Sequence, residues 1–318
     1  MNQLEQLSKM TVVVADSGDI AAIQQLQPTE ATTNPSLILQ ASQQADYQHL
    51  LFSALKGSSF ENNGQDIAAA CEQVTVNFGC EILRHIPGRV STEIDARLSF
   101  DTEASVTKAL SIIGRYRAAG VDSNRVLIKL AATWQGIQAA ARLEKLGIHC
   151  NLTLIFSLAQ AKACADAGVT LISPFVGRIL DWYKQNQPEQ DFSGDKDPGV
   201  LSVKTIYNHY KNHGIPTVVM GASFRNVDQI RQLAGCDLLT IAPNLLLQLK
   251  DSTDPLPAAL QPVSTQSPTT PKALSQAEFL WQLNEDAMAT EKLAEGIRKF
   301  AVDQRKLEQL LQNLNQQS

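Results

Sequence analysis

Lys129 stands inside Val126-Leu127-Ile128-Lys129-Leu130-Ala131, an aliphatic run that follows a turn-like Ala119 to Asn124 and precedes a helix-like segment opening at Thr133. Such a run predicts a buried parallel strand with the lysine near its carboxyl end. An ammonium taken out of water is costly unless paired, and burial lowers its pKa, which frees the neutral amine to attack carbonyls. The chemistry indicated is Schiff-base formation. A lysine that only snorkels to the strand rim or pairs with a carboxylate is the competing reading of this stretch taken alone.

Other polar residues stand, like Lys129, towards the carboxyl ends of short predicted strands: Asp16, Asn34, Glu93, Asn151, Thr153 and Ser173. With Lys129 they supply an amine nucleophile, two carboxylates, and hydroxyl and amide groups to orient a substrate, the inventory for carbonyl chemistry through an imine. Arg178 and Arg225 each lie beside a glycine-bearing turn, where a guanidinium fork suits a phosphate and Ser223 adds a hydroxyl. Surface arginines bridged to carboxylates are the alternative there. His209 and His213 are four residues apart but lack a third ligand or a His-Glu-x-x-His pattern, so no metal is expected.

These residues need a scaffold that brings strand ends together. Thr11 to Ala15 is a β-branched run closed by Asp16, after which Ser17-Gly18-Asp19 offers a turn and a helix cap. Ala31 to Thr33 is a second short strand running into Asn34-Pro35-Ser36, with Ser36 as the expected cap of the next helix. From about Tyr47 to Ile86 the pattern is helical, broken by a polar stretch from Gly57 to Gly64. Further strands are predicted at Arg89 to Ile94, around Lys129, at His149 to Leu154, Leu171 to Phe175, Thr217 to Met220 and Leu238 to Ile241. Helical segments intervene, one opening at Asp101 with Val106, Ala109, Leu110 and Ile113 at helical spacing.

About eight β-then-α units predict an α/β chain folded as a single (β/α)8 TIM barrel, spanning about residues 11–250 of one domain over 1–318. An open doubly wound sheet is the alternative, but neither a Gly-x-Gly-x-x-Gly turn nor a Gly-x-x-x-x-Gly-Lys loop is present to hold a nucleotide. Residues 251–272 carry five prolines among Ser, Thr and Gln and read as an irregular surface excursion. Residues 273–318 return to helix, with Leu293, Ile297, Phe300, Leu307, Leu311 and Leu314 as an apolar stripe that packs on the barrel or faces a partner in a homodimer.

A net charge of -5 argues against a nucleic-acid partner, and no apolar stretch approaches a membrane span. The five scattered cysteines, without a Cys-x-x-Cys pair or a signal-like N-terminus, fit a cytoplasmic protein with reduced thiols.

Ala31-Thr32-Thr33-Asn34-Pro35-Ser36 with Ala15-Asp16-Ser17-Gly18-Asp19, the run Ile128 to Gly136, and Ile172-Ser173-Pro174-Phe175-Val176-Gly177-Arg178 resemble the motifs of transaldolase, in the form found in the pentose phosphate pathway. The similarity runs from the N-terminus to the helical tail. Ala132 stands where the family often has serine, and the proline-rich segment is longer than the expected compact connection. The resemblance implies transfer of a dihydroxyacetone unit from sedoheptulose 7-phosphate to glyceraldehyde 3-phosphate, giving erythrose 4-phosphate and fructose 6-phosphate. It implies Lys129 as Schiff-base nucleophile, Asp16, Glu93 and Thr153 as proton-handling groups, and Asn34, Asn151, Ser173, Phe175, Arg178, Ser223 and Arg225 as substrate-binding residues. No metal or organic cofactor is implied, and the partners expected are sugar phosphates and a second copy of the chain in a homodimer.

Overall fold

Eight strands, each only three to six residues long, run β1 (Val12–Asp16), β2 (Glu30–Thr32), β3 (Val90–Glu93), β4 (Val126–Ala131), β5 (Cys150–Ile155), β6 (Leu171–Pro174), β7 (Val218–Gly221) and β8 (Leu238–Ile241). The computed structural model describes residues 1–56, 63–261 and 272–317, with side chains except at 63–65 and 317. Every pairing is parallel, the order is sequential, and β1 pairs with β8, so the sheet closes on itself as a (β/α)8 TIM barrel. The break expected from Gly57 to Gly64 falls mostly outside the described residues, between helices Gln48–Lys56 and Asn63–Leu83.

The two-residue period of the strands sorts side chains between wall and lumen. Along β4, Val126, Ile128 and Leu130 join the large core between sheet and helices, whereas Leu127 joins Val14, Leu171, Met220 and Leu238 in a small cluster inside the barrel. That cluster is the floor of the lumen. Two residues further along their strands, Val14, Leu127, Leu171 and Leu238 give way to Asp16, Lys129, Ser173 and Thr240, so the alternation that fills the floor also aims these polar groups upward at the mouth.

Register sets their neighbours. Lys129 is paired across the ladders with Glu93 on one side and Asn151 on the other, and Ala131 with Thr153. Past Thr153 the β5–β6 register shifts between Leu152 and Ile155, and Leu154 takes a left-handed backbone (φ 56°).

Helix starts follow the sequence cues with one correction. Asp19, Asp101 and Thr133 cap helices through their side chains, but after β2 the cap is Asn34, whose side chain accepts from Leu37 N–H at 3.0 Å. Pro35 at the first helical position fixes that start, which moves Ser36 inside the helix and leaves its hydroxyl to donate to Asp303. In helix Thr102–Ala118, Leu110 turns to solvent and Ile112 is buried in its stead.

The tail is helical, as helices Gln276–Glu285 and Ala287–Gln317. The second has 31 residues and so spans about 46 Å at 1.5 Å per residue. Its apolar stripe packs on the chain's own barrel: Leu293, Ile297 and Phe300 join Leu154, Phe156, Phe175 and Ile179 at the mouth, while Leu307 and Leu311 enter the main core. Of the proline-rich segment, 262–271 lie outside the described residues. Its earlier part is anchored rather than loose, with Leu256 and Leu260 buried and Leu260 N–H donating to Ala234 O at 2.9 Å. Among the described residues, no helix is long and apolar enough to cross a membrane.

Candidate active site

At the carboxyl ends of the strands a cleft is lined by Asp16, Thr32, Asn34, Lys129, Thr153, Ser173, Phe175, Arg178, Met220, Ala222, Ser223 and Thr240. Eight of the eleven residues singled out from the sequence therefore meet in one space. The other three stand around it. Glu93 and Asn151 flank Lys129 in the barrel wall, and Arg225 sits beyond Ser223 on the exposed rim.

Lys129 is 4% exposed. Its Nζ lies 3.0 Å from Glu93 Oε2 as an ion pair, off the line a good hydrogen bond needs, and donates to the Thr33 carbonyl at 3.2 Å. Burial raises the Glu93 carboxyl above its ordinary range, with Lys129 pulling back in the opposite sense. Asp16 shows the same balance: burial pushes it up, while Lys129 and a 3.0 Å bond accepted from the Thr32 hydroxyl draw it down. Thr32 shares a 2.6 Å bond with Thr240. Two carboxyls of raised proton affinity thus share the influence of one amine.

Beside Lys129, the Asn151 amide donates to Ser91 Oγ at 3.0 Å and accepts from Ser173 Oγ at 2.5 Å, which fixes both side chains. The Thr153 hydroxyl is buried and has no protein partner among the described residues. It faces a cleft that also holds Lys129, so it is free to hold a water or a substrate hydroxyl there.

The other side of the mouth is cationic. The Arg178 guanidinium lies 4.8 Å from the Phe175 ring and 5.4 Å from that of Phe300 on the tail helix. Its Nη1 is buried without a partner among the described residues, and burial, then the nearby Arg225, lower its pKa. Two guanidinium groups that repel one another beside an unsatisfied donor are what an anion would relieve. Arg225 pairs with Asp181 at 2.6 Å, so the bridged reading holds for it in this state. The approach of the two arms rests on Gly177, whose N–H donates to Ser223 O at 2.8 Å and where a Cβ would lie 2.4 Å from that oxygen. Ser223 itself has a left-handed backbone (φ 61°).

Sequence reasoning missed Thr32, Thr240, the Thr33 carbonyl, Phe300 and Asp181. For Thr240 the signal was present: within Leu-Leu-Thr-Ile it holds the parity of Leu238, which faces the lumen. Phe300 and Asp181 lie on helices and reach the site only through tertiary packing, for which no local pattern exists.

The family model described as "Transaldolase/Fructose-6-phosphate aldolase" matches residues 13–311. A Transaldolase of Haemophilus ducreyi is 58% identical over 313 residues, covering 98% of this chain and 99% of the relative. Transaldolase 1 of Pectobacterium atrosepticum is 57% identical over 313 residues, with the same coverage. Transaldolase A of Escherichia coli K12 is 56% identical over 315 residues, again covering 98% and 99%.

Proposed function

The chain is an enzyme of the transaldolase/fructose-6-phosphate aldolase family, and from that premise we propose that it moves a dihydroxyacetone unit from sedoheptulose 7-phosphate to glyceraldehyde 3-phosphate through an imine on Lys129. The observation that carries the reading is the buried Lys129 amine, 3.0 Å from Glu93, in a cleft that also holds Asp16.

The first step needs a neutral amine, and Glu93, with its raised proton affinity, accepts the proton from Nζ. Lys129 then attacks the ketose C2 carbonyl to give a carbinolamine. Glu93 returns the proton to the departing hydroxyl, with Thr153 holding the water, and the cationic imine remains. Asp16 removes the proton from the C4 hydroxyl as the C3–C4 bond breaks, and the electron pair of that bond passes into the imine to give an enamine. The four-carbon aldehyde leaves. Glyceraldehyde 3-phosphate takes its place, the enamine carbon attacks its aldehyde, Asp16 gives its proton to the new C4 alkoxide, and water releases fructose 6-phosphate. Asn34 and Ser173 hold the donor's hydroxyls, Asn151 steadies the retained enamine, Phe175 forms the apolar wall, and Arg178, Ser223 and Arg225 grip the phosphate. That remote grip positions the reacting carbons.

Borohydride reduction in the presence of fructose 6-phosphate tests this directly. A three-carbon adduct should map to the Lys129 peptide, and Lys129→Ala should lose both adduct and transfer. Labelling elsewhere with transfer intact would sink the assignment. Release of free dihydroxyacetone at the transfer rate without an acceptor would move the activity to the aldolase side of the family.

A further inference from the structure

Behind the two arginine arms lies a buried carboxylate that the reaction does not use. Asp197 is 4% exposed, and among the described residues no cation pairs with it. Three N–H groups hold it instead. One oxygen accepts from Gly199 N–H at 2.8 Å and Val200 N–H at 3.2 Å, capping helix Pro198–Asn212; the other accepts from the Gln229 amide at 2.8 Å. Gln229, 2% exposed, in turn accepts the backbone N–H of Arg225 at 2.7 Å.

The same helix start also touches the other arm. Gly199 packs so closely under the Val176 carbonyl that a Cβ there would lie 2.0 Å from the oxygen, two residues before Arg178. We propose that Asp197 and Gln229 are positioning residues for phosphate recognition, one brace setting the backbone that carries Arg225 against the backbone that carries Arg178. The inference rests on the reading of those arginines as the phosphate grip.

A helix cap alone does not require a carboxylate, since asparagine caps as well as aspartate. Leaving a charge buried without a counter-ion is expensive. What asparagine cannot supply is an acceptor on both faces: its amide end would point at the amide of Gln229. If Gln229 then flipped, its own amide would face the Arg225 N–H, donor against donor. The carboxylate is thus required by the direction of the bonds, and the direction ends on Arg225.

That logic gives a rescue experiment. Asp197→Asn keeps the cap and breaks the relay; Gln229→Glu sets two carboxylates against each other. Combined, the new amide donates to the new carboxylate, whose second oxygen accepts from Arg225, so the pattern is restored with its polarity reversed. Each full-length single variant should weaken inorganic phosphate binding by titration calorimetry, and raise KM for fructose 6-phosphate, by about tenfold. Their kcat should hold, and KM for unphosphorylated erythrose as acceptor should not move. The double variant should recover to within about threefold of the parent. Gln229→Met, which removes both bonds at similar length, gives the same readout if Asp197→Asn does not fold.

Unchanged phosphate affinity in the singles, an equal loss for phosphorylated and unphosphorylated substrates, or a double variant no better than the worse single would each overturn the brace. Calorimetry needs no turnover, so a parent that binds phosphate but neither traps an adduct nor transfers would refute the catalytic reading, while the four phosphate affinities still decide the brace.

Discussion

Asp16 carries two opposed demands at one residue. In the proposed role of base at the C4 hydroxyl it must ionise, yet its burial raises its proton affinity above the ordinary value of 3.8. The native state therefore binds this proton more tightly than the unfolded chain does. The associated stability is fully present below the ordinary value and is lost as pH rises through the raised native one, so at neutral pH the ionised group costs stability. Asp16→Asn keeps the shape and can still accept from Thr32. It should hold fructose 6-phosphate as a borohydride-trappable six-carbon adduct while transfer falls by about 10²- to 10⁴-fold. The same variant should melt higher than the parent at neutral pH, with the difference narrowing as pH falls through the raised native value towards about 4 and levelling off below it. A three-carbon adduct at the parent rate would hand the proton to another group, and a lower melting temperature at neutral pH would make the carboxylate a net stabiliser. At this scale the site was legible wherever a charged or amide group stood near the carboxyl end of a predicted strand, as at Asp16, Glu93 and Lys129. Thr32 and Thr240 escaped notice because threonine is also an ordinary strand residue, and nothing local distinguishes a hydroxyl that orients a carboxylate from one that fills a pleat.

Among the elements, β5 departs furthest from its expected form. Leu154 reads in sequence as an ordinary strand residue, yet it is left-handed and fully buried, a member of the mouth cluster that lies against Gly296 of the tail helix. Gln160 holds the bulge, donating to the carbonyls of Leu154 and Ala132 at 2.9 Å each and accepting from Phe156 N–H at the same distance. Leu154→Gly would relieve a backbone cost of about 1–2 kcal/mol but remove a buried leucine contributing about 2–5 kcal/mol. The loss of packing outweighs the relief. Denaturant unfolding should show a net destabilisation of roughly 1–3 kcal/mol, and a more stable glycine variant would mean the backbone strain dominates. The strands themselves were legible to within a residue or so at each end, because short aliphatic runs between helical patterns leave little freedom. The bulge was not, since it arises from how β5, β6 and the Gln160 amide share hydrogen bonds.

For the molecule as a whole, the tail helix ties distant parts of the mouth together: Asp303 accepts from Ser36, Glu308 pairs with Arg97, and Phe300 backs Arg178. Its apolar stripe is spent on this packing, so a homodimer, if the expectation holds, would use a different surface. Sedimentation velocity at micromolar concentration should give a species of twice 34.7 kDa; the monomer mass alone would withdraw that expectation. Closure of the barrel also has a consequence for synthesis. Val12 pairs with Leu238, so after β1 leaves the ribosome its second neighbour is still roughly 230 residues away, on the order of 10–50 s at the usual rates of translation. During that interval the nascent chain carries an open strand edge that the finished ring removes, and it is then, rather than after folding, that the chain is most in need of a chaperone.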